Sequence, residues 1–394
     1  MNGSGLENKK LNLSEQNKKI LVVCMLDSVH TARWLNQFQN SKISFHLFPS
    51  TPHRKIHSDI KKLTTSEFSN ERFKVHYGYS IFPILTWAID LVLKNKFRGY
   101  LITRLLEKFE IDVVHVMELN HAGFITYSSK SFRESSTIYK VATVWGSDIF
   151  WFGQFEGQRK KLGKLLPKID LLISECKRDE NLSRNLGFNG KFFNSPALFG
   201  FPESELNAQF LLPSKRNLIL VKGYESFAGR ASMALDALVA LESNLNDFEI
   251  HVYSTTWKTR KLIKKIRRTS NLKIVYYKKK QLTSNQMVEL FRRSRFHLGA
   301  SLSDGVPASL LEAMISGCFP IQTDTSCAEQ WIENDKSGIL VEPKVEKIKD
   351  AITKALRDDQ LVDQAAIINQ KLAREKLNQD YVASNLSEIY SRFT

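Results

Sequence analysis

Two carboxylates eight positions apart, Asp304 and Glu312, lie on either side of a turn that runs into a helix-forming segment. The turn contains Gly305, Val306 and Pro307. A helix that begins directly after a turn leaves backbone N–H groups free at its first residues, and the positive end of its dipole adds to them. Such a position favours an anion, for example a phosphate. A carboxylate beside it can bind sugar hydroxyls, and one further into the helix can bind a ribose, so the pair predicts a nucleotide-sugar site.

Lys222 and Arg230 form a second candidate constellation. The apolar run 218–221 predicts a buried strand, which leads into a loop with Gly223 and Gly229 before the next helix begins. Two cations that bracket such a loop can both reach an anion held at the helix start. The alternative interpretation is two solvated charges that flank a turn.

The residues around Asp304 and Glu312 resemble those of a known family. Followed by Gly317, Pro320-Ile321 and the segment 338–341, they are similar to the donor-binding motif of retaining glycosyltransferases of the GT-B fold. The resemblance is greatest to the family 4 group, which includes many bacterial lipopolysaccharide, capsule and exopolysaccharide enzymes. That family begins the motif with Glu, whereas this chain has Asp304, which is shorter by one methylene.

The resemblance implies a role for each residue of the donor site. Lys222 and Arg230 would neutralise the donor diphosphate, although the family has the Arg before the Lys. Asp304, with Gly305 and Val306, would hold the donor sugar, and Glu312 the ribose. The backbone amides near Ser309 and Leu310 would help to stabilise the leaving diphosphate. The other donor-binding residues are Gly223, Pro307, Tyr277 and Lys279, the last two beside the base.

Two further segments resemble the family at the ends of strands. Trp145 and Asp148 belong to a Trp-Gly-Ser-Asp sequence that family members carry at the edge of their cleft. Asp148 either positions a substrate or caps the following helix. His121 follows the predicted strand 113–117 and matches the histidine that reaches the donor sugar in the family, whereas a lone histidine is more often structural. His115 lies inside that strand and is predicted to be core.

The first strand is followed by a departure from the family pattern. Many relatives carry a Gly-Gly pair there, but this chain has the segment 27–34 without glycine. His30 and Arg33 are one helical turn apart and are candidates for contact with an acceptor or a phosphate. The alternative for Arg33 is an exposed charge on a helix.

Short apolar runs alternate with helix-like segments along the whole chain, which predicts parallel sheets covered by helices on both faces. Strands are expected at 19–25, 43–48, 113–117, 138–144, 171–174, 218–221, 249–253, 273–277, 296–300 and 319–322. The polar, proline-bearing stretch 202–216 predicts a linker between two Rossmann-like halves. The predicted organisation is therefore a disordered lead-in (1–18), an acceptor domain (19–201), the linker (202–216), a donor domain (217–376) and a C-terminal helix (377–394) that returns to the first domain. The resemblance implies the GT-B architecture, with the ligand between the carboxyl ends of the two sheets.

The chain of 394 residues carries a net charge of +16 and a pI near 9.5, which predicts anionic partners. Solubility alone is the alternative. The basic segment 258–280 is interpreted either as a solvated helix face or as a contact with anionic lipid, and the basic-apolar region 81–104 is a second candidate for a membrane surface. The expected location is cytoplasmic, with peripheral attachment to the inner face of the membrane as the alternative left open.

Cysteine and metal patterns are sparse. Four scattered cysteines (Cys24, Cys176, Cys318 and Cys327) predict reduced, buried thiols. No Asp-x-Asp motif stands at a strand end, and no zinc or EF-hand pattern occurs. With Lys222 and Arg230 to balance a diphosphate, no metal or other cofactor is expected.

The resulting prediction is a glycosyltransferase that moves a sugar from a nucleotide-diphosphate donor to a hydroxyl of a glycan or lipid-linked saccharide. The resemblance implies that the anomeric configuration is retained. A sugar phosphorylase of the same fold is one alternative. A non-enzymatic nucleic-acid binder is the other, which the charge favours, although the sequence has no zinc finger, RNP-like aromatic motif or helix-turn-helix signature.

Overall fold

The computed structural model describes residues 18–39, 41–65 and 71–391. The predicted lead-in therefore lies outside the described residues, except for Lys18. The strands form two parallel sheets and have these bounds: β1 Lys19–Cys24, β2 Ser44–Pro49, β3 Phe73–Val75, β4 Val113–Met117, β5 Tyr139–Thr143, β6 Leu171–Ser174, β7 Lys191–Asn194, β8 Leu218–Lys222, β9 Glu249–Thr255, β10 Lys273–Lys278, β11 Ser294–Gly299, β12 Phe319–Thr323 and β13 Ile339–Val341.

Helices connect these strands almost throughout. They are α1 Val29–Asn36, α2 Ser58–Thr65, α3 Phe82–Leu93, α4 Lys96–Lys108, α5 Phe124–Tyr127, α6 Lys130–Glu134, α7 Ser147–Phe150, α8 Glu156–Leu165, α9 Arg178–Arg184, α10 Glu203–Leu206, α11 Ala231–Val239, α12 Trp257–Thr269, α13 Ser284–Arg293, α14 Ala308–Ile315, α15 Val345–Arg357, α16 Asp359–Lys376 and α17 Gln379–Ser391. Each predicted strand is found within two residues of its expected limits. The predicted α/β class with parallel sheets is confirmed.

The chain divides into two compact units. The first contains residues up to 116 together with 125–140, and the second contains 117–124 and 141–394. The limits of these units differ from the predicted domain limits at 201 and 217, which stay predictions. The predicted linker contains α10, and its Arg216 is buried with a guanidinium that donates to the carbonyl oxygens of Ser294 (2.9 Å) and Ser316 (3.2 Å).

The first unit contains the strand order β3-β2-β1-β4. Five of the six residues of β1 are buried, as a strand covered by helices on both faces requires. The large rings of Trp34, Phe45 and Phe73 fill the core beside it. His115 is fully buried in β4, and burial lowers its pKa to about 3. The prediction that His115 is a core residue is confirmed.

The second unit contains β5-β6-β7 and the complete second sheet, in the order β10-β9-β8-β11-β12-β13. Strands β8 and β11 are central neighbours, and all six residues of β11 are buried. Parallel strands present their carboxyl ends at the same edge of a sheet. The loops that follow β8 and β11 therefore lie side by side, which places the two predicted donor motifs together.

Two of the four cysteines do not follow the prediction of reduced thiols. Cys176 and Cys327 form a disulfide although 151 positions separate them, because the fold brings their Cα atoms to 5.6 Å. Cys24 and Cys318 are buried free thiols, as expected. Among the described residues, no helix combines the length and the apolar character needed to cross a membrane.

Candidate functional site

Lys222 and Asp304 meet at the carboxyl edge of the second sheet. Lys222 is the last residue of β8, and Asp304 lies in the loop between β11 and α14. The Lys222 Nζ donates to Asp304 Oδ2 at 3.1 Å, and both side chains keep about a third of their surface exposed (29% and 32%). Both charged groups therefore remain accessible to a ligand. His297 lies nearby in β11 and is neutral, because burial and the charge of Lys222 lower its pKa to about 3.

Arg178 holds the backbone of the Asp304 loop in place. Its guanidinium donates to the carbonyl oxygens of Asp304 (2.8 Å), Gly146 (3.2 Å) and Thr325 (3.1 Å). The same guanidinium stacks on the ring of Phe150 at 3.9 Å from its centroid. One side chain thus fixes three loops, and it orients the Asp304 carboxylate through the main chain.

Gly146 and Gly305 are in backbone contact beside Asp304. Gly146 has a φ of +78°, and a Cβ on it would lie 2.0 Å from the Gly305 nitrogen. Only glycine fits this conformation and this spacing. Next to them, the hydroxyls of Ser147 and Ser303 are hydrogen bonded at 3.0 Å. The Trp-Gly-Ser-Asp segment therefore packs directly against the predicted donor loop.

Glu175 supports the same loop from its buried side. Its carboxylate accepts from the N–H of Val306 (3.4 Å) and of Leu198 (3.1 Å). Burial raises the pKa of Glu175 to about 8, with smaller increases from the charges of Asp304 and Asp179, against these N–H bonds. The next residue after Glu175 is Cys176, which forms the disulfide with Cys327. The Cys327 N–H donates to the carbonyl of Gly305 at 3.1 Å.

Helix α14 begins after Pro307 and carries the predicted ribose contact. Ser309 and Leu310 are buried in its first turn, and the Leu310 N–H donates to the Pro307 carbonyl at 2.8 Å. The Leu310 amide is therefore engaged within the helix itself. Glu312, in the middle of α14, is partly exposed on a helix whose other residues are almost all buried.

The loop after β8 differs from the expected phosphate cradle. Gly223 packs against the end of β9, where a Cβ would lie 2.6 Å from the Tyr253 carbonyl. Arg230 caps α11, and its Nη1 donates to the carbonyl oxygens of Ser226 (2.6 Å) and Gly229 (2.9 Å). The structure thus brings Lys222 to Asp304, while the Arg230 guanidinium is bonded within its own loop. Its predicted contact with a diphosphate stays a prediction.

His121 is the exposed residue of an otherwise largely buried π-helical turn, Leu119–Gly123, that two buried acids hold. Glu118 has a φ of +87° and accepts from the N–H groups of His121 and Ala122. Asp148 accepts from the Leu119 N–H at 3.3 Å, the Trp145 N–H at 2.9 Å and the Asn120 side-chain amide at 3.2 Å. Burial raises the pKa of both acids, and the charge of Glu118 raises that of Asp148 further.

These contacts give Asp148 a backbone role. Its oxygens fix the Trp145 backbone and the turn that carries His121. Asp148 lies inside α7, whose N-cap is Gly146, so the interpretation that it caps the following helix is wrong. It instead accepts from backbone N–H groups outside that helix. A direct contact of Asp148 with substrate stays a prediction.

The remaining predicted residues lie in other surroundings. Tyr277 is in β10, and its hydroxyl is hydrogen bonded to His251 Nδ1 at 3.1 Å. Lys279 is exposed in the turn after that strand. His30 is exposed and Arg33 partly exposed on α1, within the first unit. Their predicted contacts with a ligand stay predictions.

Three supporting residues, Arg178, Glu175 and Glu118, were missed by the sequence interpretation. Each follows a strand end, the position where site residues of α/β sheets lie, and this was the available signal. Their partners are far away in sequence: 126 positions separate Arg178 from Asp304, and 131 separate Glu175 from Val306.

Two family models match separate parts of the chain. Residues 203–372 match the model "Glycosyl transferases group 1", and residues 19–176 match the model "Glycosyl transferase 4-like". Asp304, Glu312, Lys222 and Arg230 lie in the first match, and His30, Arg33, His121 and Asp148 in the second. No curated protein matches the chain.

Solved structures with the same fold are similar over almost the full length of the chain. Anabaena HepE in complex with UDP-glucose has a TM-score of 0.69 at 13% identity, covering 95% of this chain and 99% of the other. A variant of S. aureus TarM in complex with UDP and alpha-GlcNAc-glycerol has a TM-score of 0.70 at 13% identity, covering 96% and 100%. The lipopolysaccharide outer core galactosyltransferase WaaB has a TM-score of 0.66 at 14% identity, covering 95% and 99%. These similarities confirm the predicted fold.

Proposed function

We propose that this chain, which matches two glycosyltransferase family models and has the GT-B fold, moves a sugar from a nucleoside-diphosphate sugar to an acceptor hydroxyl with retention of anomeric configuration. The observation that supports this best is the Lys222–Asp304 pair at the edge of β8 and β11. One accessible cation and one accessible carboxylate stand together there, beside the start of α14. That is the combination which a diphosphate joined to a sugar requires.

Each group has a defined part in the proposed reaction. The bond between the anomeric carbon and the diphosphate oxygen breaks, and Lys222 stabilises the charge that develops on the departing diphosphate. Asp304 binds a hydroxyl of the donor sugar, Glu312 binds the ribose, and His121 contacts the donor sugar. The acceptor oxygen bonds to the anomeric carbon from the same face, and its proton passes to the departing phosphate oxygen. No protein nucleophile is required.

The proposed acceptor is a glycan or lipid-linked saccharide of a surface polysaccharide. Support comes from the resemblance to family 4 and from structural neighbours such as the lipopolysaccharide galactosyltransferase and the enzyme crystallised with alpha-GlcNAc-glycerol. We propose UDP-sugars as the first donors to test, because HepE was solved in complex with UDP-glucose and the TarM variant in complex with UDP.

Thermal shift with a panel of nucleotide sugars tests the donor. The panel consists of UDP-glucose, UDP-galactose, UDP-N-acetylglucosamine, ADP-glucose and GDP-mannose. A ligand at 100 times its Kd stabilises the fold by about 2.7 kcal/mol. One of them is expected to raise the Tm of the wild type and to do so much less in Glu312→Ala. Absence of any shift in the wild type would contradict the proposal. Assays with and without inorganic phosphate distinguish a glycosyltransferase from a phosphorylase, whose turnover would depend on phosphate. A gel-shift assay with a polyanion competitor distinguishes it from a nucleic-acid-binding protein.

Helix α3 supports a peripheral membrane location, because its apolar side chains face outwards. Its buried positions include Thr86 and Asp90, whereas Leu91 and Val92 are 65% and 80% exposed. Further exposed apolar residues in and around the helix are Tyr77, Tyr79, Ile81, Phe82, Leu85, Trp87, Leu93 and Tyr100. An ordinary surface helix has the opposite distribution.

A buried ion pair fixes this orientation of α3. Asp90 Oδ2 accepts from Arg98 Nε at 2.6 Å, and the Arg98 guanidinium also donates to the Ser50 carbonyl at 3.0 Å. Exposed Lys94 and Lys96 border the apolar face. An exposed apolar helix face bordered by lysines has the properties of a surface that binds an anionic bilayer. Helix α12 is the contrasting case, since it buries Ile263 and Ile266 and exposes its basic residues to solvent.

Vesicle sedimentation tests the membrane proposal. Wild-type protein is expected to bind phosphatidylcholine vesicles that contain phosphatidylglycerol, with weaker binding at high salt. The double variant Leu91→Ser, Val92→Ser is expected to lose most of this binding. The matched control, Lys261→Ser with Lys264→Ser on α12, is expected to keep it. No binding of the wild type at low salt would refute the proposed location and would leave the proposed reaction intact.

A further inference from the structure

Four aromatic side chains form a surface beside the candidate donor site. Trp151, Phe152 and Phe155 follow α7, and Phe227 lies in the loop between β8 and α11. The Phe227 ring centroid is 5.2 Å from that of Phe152 and 6.1 Å from that of Trp151, and Trp151 is 6.2 Å from Phe155. We call these four residues the aromatic wall.

The aromatic wall is not core. Phe155 and Phe227 are 51% and 47% exposed, and Trp151 and Phe152 are partly exposed. Neighbouring Tyr224 is exposed as well. Contiguous exposed aromatic rings leave apolar area in water, which indicates a surface that a ligand covers.

On one side of the wall, hydrogen bonds of residues next to Phe227 join its loop to the donor loop. The carbonyl of Ala228 accepts from the Leu302 N–H at 2.7 Å, and Gly229 pairs with Ser301. The Arg230 guanidinium holds the Ser226 carbonyl at 2.6 Å. The position of Phe227 is therefore set by the same chain segments that carry Arg230 and lead to Asp304.

The other side of the wall is joined to the same place. Trp151 caps α7, and its N–H donates to the Ser147 carbonyl at 3.1 Å. Ser147 in turn is hydrogen bonded to Ser303, immediately before Asp304. Both edges of the aromatic wall thus connect to the donor loop by one or two hydrogen-bonded steps.

We infer that the aromatic wall is a subsite for a sugar ring of the acceptor. This inference rests on the proposed function, since an acceptor hydroxyl must reach the anomeric carbon held beside Asp304. A pyranose presents a flat face of C–H groups with hydroxyls at its rim, and aromatic rings bind such a face while water and protein bind the rim. The substrate class is therefore a saccharide whose terminal residue exposes an apolar ring face.

The subsite is tested by measuring how much an acceptor accelerates the release of the nucleoside diphosphate from the donor. The donor is the nucleotide sugar that gives the largest thermal shift, and the acceptor probes are the methyl glycosides of glucose, galactose, mannose, N-acetylglucosamine and rhamnose. At least one glycoside is expected to accelerate nucleotide release by the wild type. In Phe227→Ala and in Phe155→Ala, kcat/KM for that glycoside is expected to fall about tenfold, mainly through KM, as for the loss of one stacked ring.

Two matched variants separate stacking from loss of structure. Phe227→Trp keeps an aromatic face and is expected to restore glycoside use. Tyr381→Ala removes an equally exposed ring (50%) on α17 and is expected to leave kcat/KM for that glycoside unchanged. Unaltered glycoside KM in both Phe variants, or no stimulation by any glycoside of a wild type that hydrolyses its donor, would overturn the subsite. A wild type that neither binds nor hydrolyses any donor of the panel would instead refute the proposed function.

Discussion

The acidic side chains around the candidate site differ in burial: three are buried, and one is accessible and paired with a lysine. Glu118, Asp148 and Glu175 are buried, and their oxygens accept from backbone N–H groups of nearby loops. Asp304 is partly exposed, and its carboxylate pairs with Lys222. The difference suggests a division of labour. Buried acids shape the loops because their oxygens are already used, while an accessible acid and its cation remain available to bind a ligand.

The largest expected effect on turnover comes from the accessible Lys222–Asp304 pair. Lys222→Ala is expected to lower kcat about 100-fold or more, because it removes the charge that stabilises the departing diphosphate. Folding is expected to survive, since Lys222 is partly exposed at a strand end. Steady-state kinetics with the donor identified by thermal shift, together with the Tm of each variant, measures this.

Lys261→Ala is the control for the loss of one positive charge, because Lys261 is exposed on α12. Glu312→Ala is expected to lower turnover strongly as well. Near-normal activity of both Lys222→Ala and Glu312→Ala would show that the accessible charges do not bind donor, and the comparison between the two groups would then lose its functional half.

Among the buried acids, Asp148 should affect stability rather than ligand binding. Asp148→Ala leaves the N–H groups of Trp145 and Leu119 without their acceptor, which is expected to cost about 2–3 kcal/mol of unfolding free energy. Asp148→Asn keeps one acceptor oxygen and is expected to cost much less. Urea unfolding of the three proteins measures the difference. Equal stability of Asp148→Ala and wild type would contradict a structural role for this acid.

The same contrast explains what the sequence could predict. The juxtaposition of Lys222 and Asp304 was predictable, because each lies at or after the end of a strand in a local pattern that identifies it. The ligand contacts of Asp304, Glu312 and Lys222 stay predictions. The supporting contacts were not, since Glu175 reaches Val306 and Cys176 reaches Cys327 only after distant segments fold together. Local sequence patterns also do not determine side-chain rotamers. The sequence therefore did not predict that the Arg230 guanidinium bonds to carbonyl oxygens of its own loop. Ten strands were predicted closely because buried parallel strands are continuous apolar runs. The short strands β3, β7 and β13, of three or four residues each, were not predicted.

A pH dependence of stability should mark Glu175. Its pKa is raised to about 8, whereas a Glu in an unfolded chain has a pKa of roughly 4.3. Between these values the folded state holds one proton that the unfolded state releases, so this group stabilises the fold most at low pH. The contribution is lost as pH rises towards 8, by at most about 1.4 kcal/mol per pH unit.

Glu175→Gln is expected to remove that slope. Urea unfolding at pH 5.5, 6.5 and 7.5 compares the variant with the wild type, and Glu203→Gln, at an exposed position, is the control. The other buried acids are present in all three proteins, so the difference between the slopes reports on Glu175 and its interaction with Asp304 and Asp179. Parallel slopes for wild type and Glu175→Gln would mean that Glu175 is ionised in the folded protein, and that burial alone does not separate the two groups of acids.

The smallest expected effect is that of chelation. Acidic clusters in sugar transferases can bind a divalent metal that neutralises the diphosphate, and four buried or partly buried acids near one loop invite that alternative. The oxygens of Glu118, Asp148 and Glu175 are, however, occupied by N–H donors, and Lys222 already lies at Asp304. Within the described residues, no three His, Cys, Asp or Glu side chains are grouped as metal ligands would be. Turnover is therefore expected to stay within about twofold after treatment with EDTA, and loss of turnover that Mg²⁺ or Mn²⁺ restores would assign at least one of these acids to a metal instead of to the backbone.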